Sequence, residues 1–140
     1  MIPLMLLAGL ALADSRQAQF TVAVVVPSRA TLTPLAGPTA FTLTAEDVAR
    51  GYKDLAARYE VRHSDARGYL LRLAPRMGLT RHVEIQGLAA PILLHDTEVE
   101  VHQRPGPGVQ QLALEFRFVL DPAAVPGAYA LPVHVSATPL

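Results

Sequence analysis

The chain has 140 residues, enough for one domain with one sizeable core, and its 51% hydrophobic and 17% charged residues exclude a disordered or highly solvated chain. Twelve basic residues balance twelve acidic ones, so there is no basic excess to track phosphates, and nucleic acid is not an expected partner. The absence of cysteine excludes a disulfide framework, a thiolate nucleophile and a Cys-ligated zinc, while 12 prolines and 9 glycines suit many short strands better than long helices.

Met1 to Ala13 reads MIPLMLLAGLALA. The run is too short to span a bilayer and has the length of a signal-peptide core, with Ala11-Leu12-Ala13 as a small-x-small cleavage signal before the polar Asp14-Ser15-Arg16-Gln17. No Lys or Arg precedes it, so only the amino terminus is positive. The expectation is an exported protein, periplasmic, cell-surface or extracellular, with residues 14–140 as its single domain and no membrane insertion after cleavage.

Phe20, Val22, Val24 and Val26 alternate with Thr21, Ala23 and Val25, the pattern of a strand with one apolar face. Two fates fit this segment. It is expected as the edge strand of its own domain, because exposed apolar edges are hazardous. The alternative is a donated strand that completes a neighbouring subunit's sheet, leaving an open groove where a strand is missing.

Ala30–Leu35 and Phe41–Thr44 follow as short extended pieces. Thr44 with Asp47 three residues on resembles an N-cap, and Gly51 suits a helix end, so one helical turn is expected over Ala45–Arg50 and extended chain after it. Val48, Tyr52, Leu55 and Tyr59 also lie at helical spacing, which is the competing reading. Tyr59–His63 and Tyr69–Leu73 alternate around Asp65-Ala66-Arg67-Gly68, a hairpin signal. Strands are then expected at His82–Gln86, Ile92–Leu94 and Thr97–His102, with a loop at Pro105-Gly106-Pro107-Gly108.

The end of the chain carries the clearest pattern. Leu112, Leu114, Phe116, Phe118 and Leu120 are apolar at every second position, and after Asp121-Pro122 and Pro126-Gly127 so are Tyr129, Leu131, Val133, Val135 and Ala137. Two such strands joined by a turn predict a terminal antiparallel pair whose apolar face other strands cover. The expected core is Val22, Val24, Val61, Leu71, Ile85, Leu114, Phe116, Phe118, Val133 and Val135. The count of eight or nine strands at short spacing predicts an all-β antiparallel sandwich or barrel with one helical turn.

Catalytic chemistry finds no motif. The four serines, Ser15, Ser28, Ser64 and Ser136, lie in neither a G-x-S-x-G elbow nor an S-x-x-K spacing. Glu98, Glu100 and His102 share one strand face, but same-face neighbours stand about 6.6–6.8 Å apart, so three cannot reach one ion with bonds near 2 Å. A solvated face opposite Thr97, Val99 and Val101 is the simpler reading. His63, His82 and His134 are expected at surface or rim positions and His95-Asp96 at a turn. Tyr52, Tyr59, Tyr69 and Tyr129 are expected to close the core with their hydroxyls on backbone partners rather than to form a ligand patch. No catalytic residue, metal or cofactor is expected.

Val26-Pro27-Ser28 after a signal peptide, Tyr59-Glu60-Val61-Arg62-His63-Ser64 leading to Gly68-Tyr69-Leu70-Leu71-Arg72-Leu73, and Pro126-Gly127-Ala128-Tyr129 entering an alternating last strand resemble the spore-coat-U-like secreted proteins and the related chaperone–usher pilin subunits. Where that family carries a cysteine pair, this chain has Arg29-Ala30 and His63-Ser64. The resemblance implies an immunoglobulin-like sandwich and a non-enzymatic structural subunit, pilus- or coat-associated, with a homo-polymer or chaperone–usher-type proteins as partners. A periplasmic binding module for a small or polymeric ligand is the second expectation.

Overall fold

A computed structural model describes residues 27–38, 40–76 and 78–140. The leader and the alternating segment with Phe20, Val22, Val24 and Val26 lie outside the described residues. Ten strands and one short helix follow one another as β1 (Ala30–Ala36), β2 (Phe41–Leu43), α1 (Ala45–Arg50), β3 (Tyr52–His63), β4 (Tyr69–Pro75), β5 (Thr80–Gln86), β6 (Ile92–Leu94), β7 (Val99–Gln103), β8 (Gly108–Leu120), β9 (Gly127–Tyr129) and β10 (Val133–Thr138). The fold is an all-β sandwich in which every ladder among the described residues is antiparallel. One sheet runs β1-β3-β8-β5-β6, the other β10-β4-β7, and β2 pairs with β9 in a short third sheet.

The helical turn forms where its caps stand. Thr44 Oγ1 accepts the Asp47 N–H at 3.2 Å while the Asp47 carboxylate accepts the Thr44 N–H at 3.0 Å, a reciprocal capping box. Gly51, at φ 85°, ends the turn in the left-handed conformation that glycine adopts without penalty. From Tyr52 the chain is extended, so the helical spacing of Tyr52, Leu55 and Tyr59 yields to pairing with β8 along twelve residues. The Thr44 N–H bond first of all, aided by Lys53, holds the Asp47 carboxyl below the usual range.

The core lies between the sheets. Val61, Leu71, Leu73, Val83, Ile85, Leu94, Leu114 and Phe118 are essentially sealed from solvent, and Leu112, Phe116, Leu120 and Val133 are buried with them. Phe41, which sequence periodicity does not mark, is fully buried and meets the Phe118 ring edge-on at 4.9 Å. Val135 is only half-buried, for a reason that its strand position explains below.

Two expected pairings are not formed. β8 is flanked by β3 and β5, and β10 pairs with β4 across the sandwich, so the terminal strands are not partners. Likewise β3 and β4 belong to different sheets, and the Asp65–Gly68 connection crosses between layers instead of closing a hairpin. Alternation and a turn signal say which face of a strand is apolar, not which strand lies beside it. At that crossing Asp65 accepts the Arg67 N–H and its guanidinium, at 2.8 and 2.7 Å, and Gly68 passes so near Gln103 that a Cβ would stand 1.8 Å from its carbonyl oxygen.

Candidate functional site

The most distinctive concavity is an apolar groove of about 390 Å³ where the two layers part. Leu32, Pro34 and Ala36 of β1 form one wall, and Leu131 with Val133, His134 and Val135 at the start of β10 form the other. Leu55, Ala57 and Tyr59 of β3 and Phe116 and Phe118 of β8 make the floor. Among the described strands, β1 pairs only with β3 and β10 only with β4, so both walls are unpaired sheet edges. Among the described strands none pairs with the groove side of β10, and Val135 is half-buried although it alternates with the core face.

Local sequence builds the groove. Pro34 sits in an edge strand, where a missing N–H is tolerated, and the β1–β3 register shifts between Pro34 and Ala36. Gly37 then turns at φ 134° against the floor, where an added Cβ would meet Ala57 Cβ at 3.1 Å. Tyr59 is half-buried, and burial raises the pKa of its hydroxyl. Apolar walls, two unpaired backbone edges and few polar groups suit an extended apolar segment better than a reacting substrate.

The chain is anchored just where it enters β1. Ser64 donates its N–H to Arg29 O at 3.0 Å, Ser64 Oγ accepts the Arg29 N–H at 2.9 Å, and Ser28 Oγ donates to Asp65 Oδ2 at 3.1 Å. Residues 28 and 29 thus continue the line of β1 past the end of β3. Arg67, by side chain and then backbone, and Ser28 hold the Asp65 carboxyl far below the usual range. Beside this anchor His63 is 6% exposed, which corrects the expected rim position: β3 carries the face of Leu55, Ala57, Tyr59 and Val61 inward as far as His63. Its Nδ1 is 3.1 Å from Asp65 O, its ring packs on Tyr69 at 5.1 Å, and its Nε2 is buried without a partner.

The other singled-out residues are dispersed. Arg72 of β4 lies between Glu98 and Glu100, at 2.7 and 2.8 Å, and the His102 ring nitrogen Nε2 is 2.8 Å from Arg67 O on the same outer face. Among the described residues no three His, Asp or Glu side chains are placed to hold one ion. The tyrosines separate as well. Tyr69 is core, Tyr129 donates to Val125 O at 2.6 Å, Tyr59 lines the groove, and Tyr52 lies between the Arg50 and Arg117 guanidinium groups at 4.8 and 4.3 Å. A second, polar hollow on the outer face of the large sheet holds the Asp54–Arg117 pair, bonded at 2.8 and 3.0 Å, with Glu84 and Glu115 near it. That pairing lowers the Asp54 carboxyl's pKa and raises that of Arg117.

Periodicity marks Leu131, Val133 and Val135 of one wall and Phe116 and Phe118 of the floor, but not Leu32, Pro34 and Ala36 of the other wall, and nothing in the alternation of β10 says which strand lies beside it. No described helix is long and apolar enough to cross a membrane. No protein-family model matches the chain, and no curated protein or solved structure matches it either.

Proposed function

We propose that this protein is a non-enzymatic exported structural subunit, pilus- or coat-associated, that assembles by seating an extended segment of one copy in the groove of the next. The observation that carries this reading is the apolar groove bounded by the edges of β1 and β10 that no described strand pairs. Such a groove offers ladder hydrogen bonds for affinity and alternate side-chain sites for specificity. The chain supplies a segment of matching form, since Phe20, Val22, Val24 and Val26 recur every second residue immediately before Pro27. Their span of about 20 Å equals that of a seven-residue strand such as β1.

A segment donated to a neighbour fits better than one folded back into its own groove. Ser28 and Arg29 are already committed to Asp65 and Ser64, so a return must turn before Ser28. A four-residue turn there would consume Val24 and Val26, half of the apolar face. Donation in trans keeps all four and makes a head-to-tail contact that propagates into an open chain.

The test is light scattering across concentration on the mature protein and on a variant lacking residues through Val26. The full chain should form concentration-dependent oligomers, the truncated chain should not, and a peptide of residues 19–26 should bind and stabilise the truncated chain. A full-length monomer at every concentration, with a truncated chain that stays unfolded despite the peptide, would make the domain self-contained. The second reading, a binding module, draws on the Tyr59 hydroxyl and His134 at the groove, which give an apolar ligand two polar handles. It requires a monomer that binds a hydrophobic fluorophore in competition with that peptide.

A further inference from the structure

On the outer face of the large sheet, two histidines far apart in sequence are brought side by side. β5 pairs with β6 in the register Val83↔Leu94, so His82 and His95 stand across from each other one step further along. Val83 is buried, which turns His82 outward, and the two rings lie 5.7 Å apart with their planes at 55°. Glu84, on the same strand and face, places Oε1 3.7 Å from His82 Nε2.

These separations are close to those of a chelate. With metal–nitrogen bonds of about 2.0–2.1 Å, two imidazoles on one tetrahedral ion have ring centres about 5.2 Å apart and donor atoms about 3.4 Å apart. The observed ring spacing exceeds that by about half an ångström, within reach of a small side-chain rotation. Glu84 is a nearby charge and not a third ligand, since no three such side chains among the described residues are placed to hold one ion. His95 is exposed and the His82 side chain is 27% exposed, so water can complete the coordination shell. Glu84 and Asp96 supply negative charge near the pair, set against Arg117, which is bonded to Asp54 and also feels Glu84, and Arg81 beside His82.

We propose that His82 and His95 form a two-histidine site for a divalent transition-metal ion of the zinc–copper class, with Glu84 as the nearest anion and water at the open positions. Imidazole donors suit these ions and not magnesium or calcium. The site ties β6, a three-residue edge strand, to β5, and so pins the edge of the large sheet opposite the groove. It is independent of the assembly reading.

The test is a titration of untagged protein with zinc chloride and, separately, copper chloride, read by calorimetry and by melting temperature. One saturable equivalent should bind, and the melting temperature should rise by at least about 5 °C at a hundredfold excess over Kd. His95→Ala, at an exposed position, should keep the metal-free melting temperature and weaken binding at least tenfold. His134→Ala, on the other sheet, should change neither. Copper should broaden the NMR resonances of the β5–β6 edge and leave those of β7 and β10 sharp. Absence of saturable binding below about 1 mM, or binding that survives His95→Ala unchanged, would overturn the proposal.

Discussion

Strands β8 and β10 carry the same sequence pattern and meet different fates. In β8 every second residue from Leu112 to Leu120 is buried, because β3 and β5 close both of its sides and the opposite sheet covers its face. In β10 only Val133 is buried, while Val135 and Ala137 remain half-exposed, because one side of the strand faces the groove. Alternation states that a strand has an apolar face. Whether that face is covered depends on neighbours chosen elsewhere in the chain.

The contrast can be measured, and the largest effect belongs to β8. Phe116→Ala should cost about 3–5 kcal/mol in denaturant unfolding, since it removes a buried ring and leaves a cavity. Leu73→Ala tests whether the partner layer is as tightly closed. Leu73 is fully buried opposite Val135, so a loss of about 2–4 kcal/mol is expected. Val135→Ala should cost only about 1 kcal/mol in the monomer, in keeping with its partial burial, and a cost equal to that of Leu73→Ala would mean that the groove is filled in the isolated chain.

A smaller effect separates the anchor from both strands. The Asp65 carboxyl titrates lower in the folded chain than in the unfolded one. Its contribution is therefore present above the unfolded value near 3.9 and is lost as pH falls through the folded value. Below about pH 4 the melting temperature of the wild type should fall more steeply than that of Asp65→Asn. The least effect is expected from Glu115→Ala, on the exposed face of β8, which should stay within about 0.5 kcal/mol. Equal costs for Glu115→Ala and Phe116→Ala would reverse the faces assigned to β8.

Much of this architecture was legible residue by residue. Thr44, Asp47 and Gly51 mark the helical turn through local chemistry, and Val61, Leu71, Ile85, Leu114, Phe116, Phe118 and Val133 are core positions read from a period of two. What periodicity misses is non-local. Phe41 lies in a three-residue strand too short to show a period, and its burial depends on Phe118. Pairing of β3 with β8 and of β4 with β10 is decided by how the layers stack, and a turn at Asp65–Gly68 serves a hairpin or a crossing alike. The groove and the His82–His95 pair arise from the same kind of distant pairing.

The long β3–β8 ladder also governs when the chain can fold. Tyr52 finds Val119 and His63 finds Gly108, so even the inner pair of the longest ladder in the large sheet closes only after the 44 residues between positions 63 and 108 have been made. Among the described strands β1 pairs with β3 alone, and β5 must wait for β8 before it joins them. Until residue 120 emerges, the large sheet has no centre. Closing such distant pairs places folding in the slow range of about milliseconds to seconds. The β1–β3, β4–β7 and β5–β6 ladders can close earlier, and β8 joins β3 to β5 last, so the large sheet is completed late.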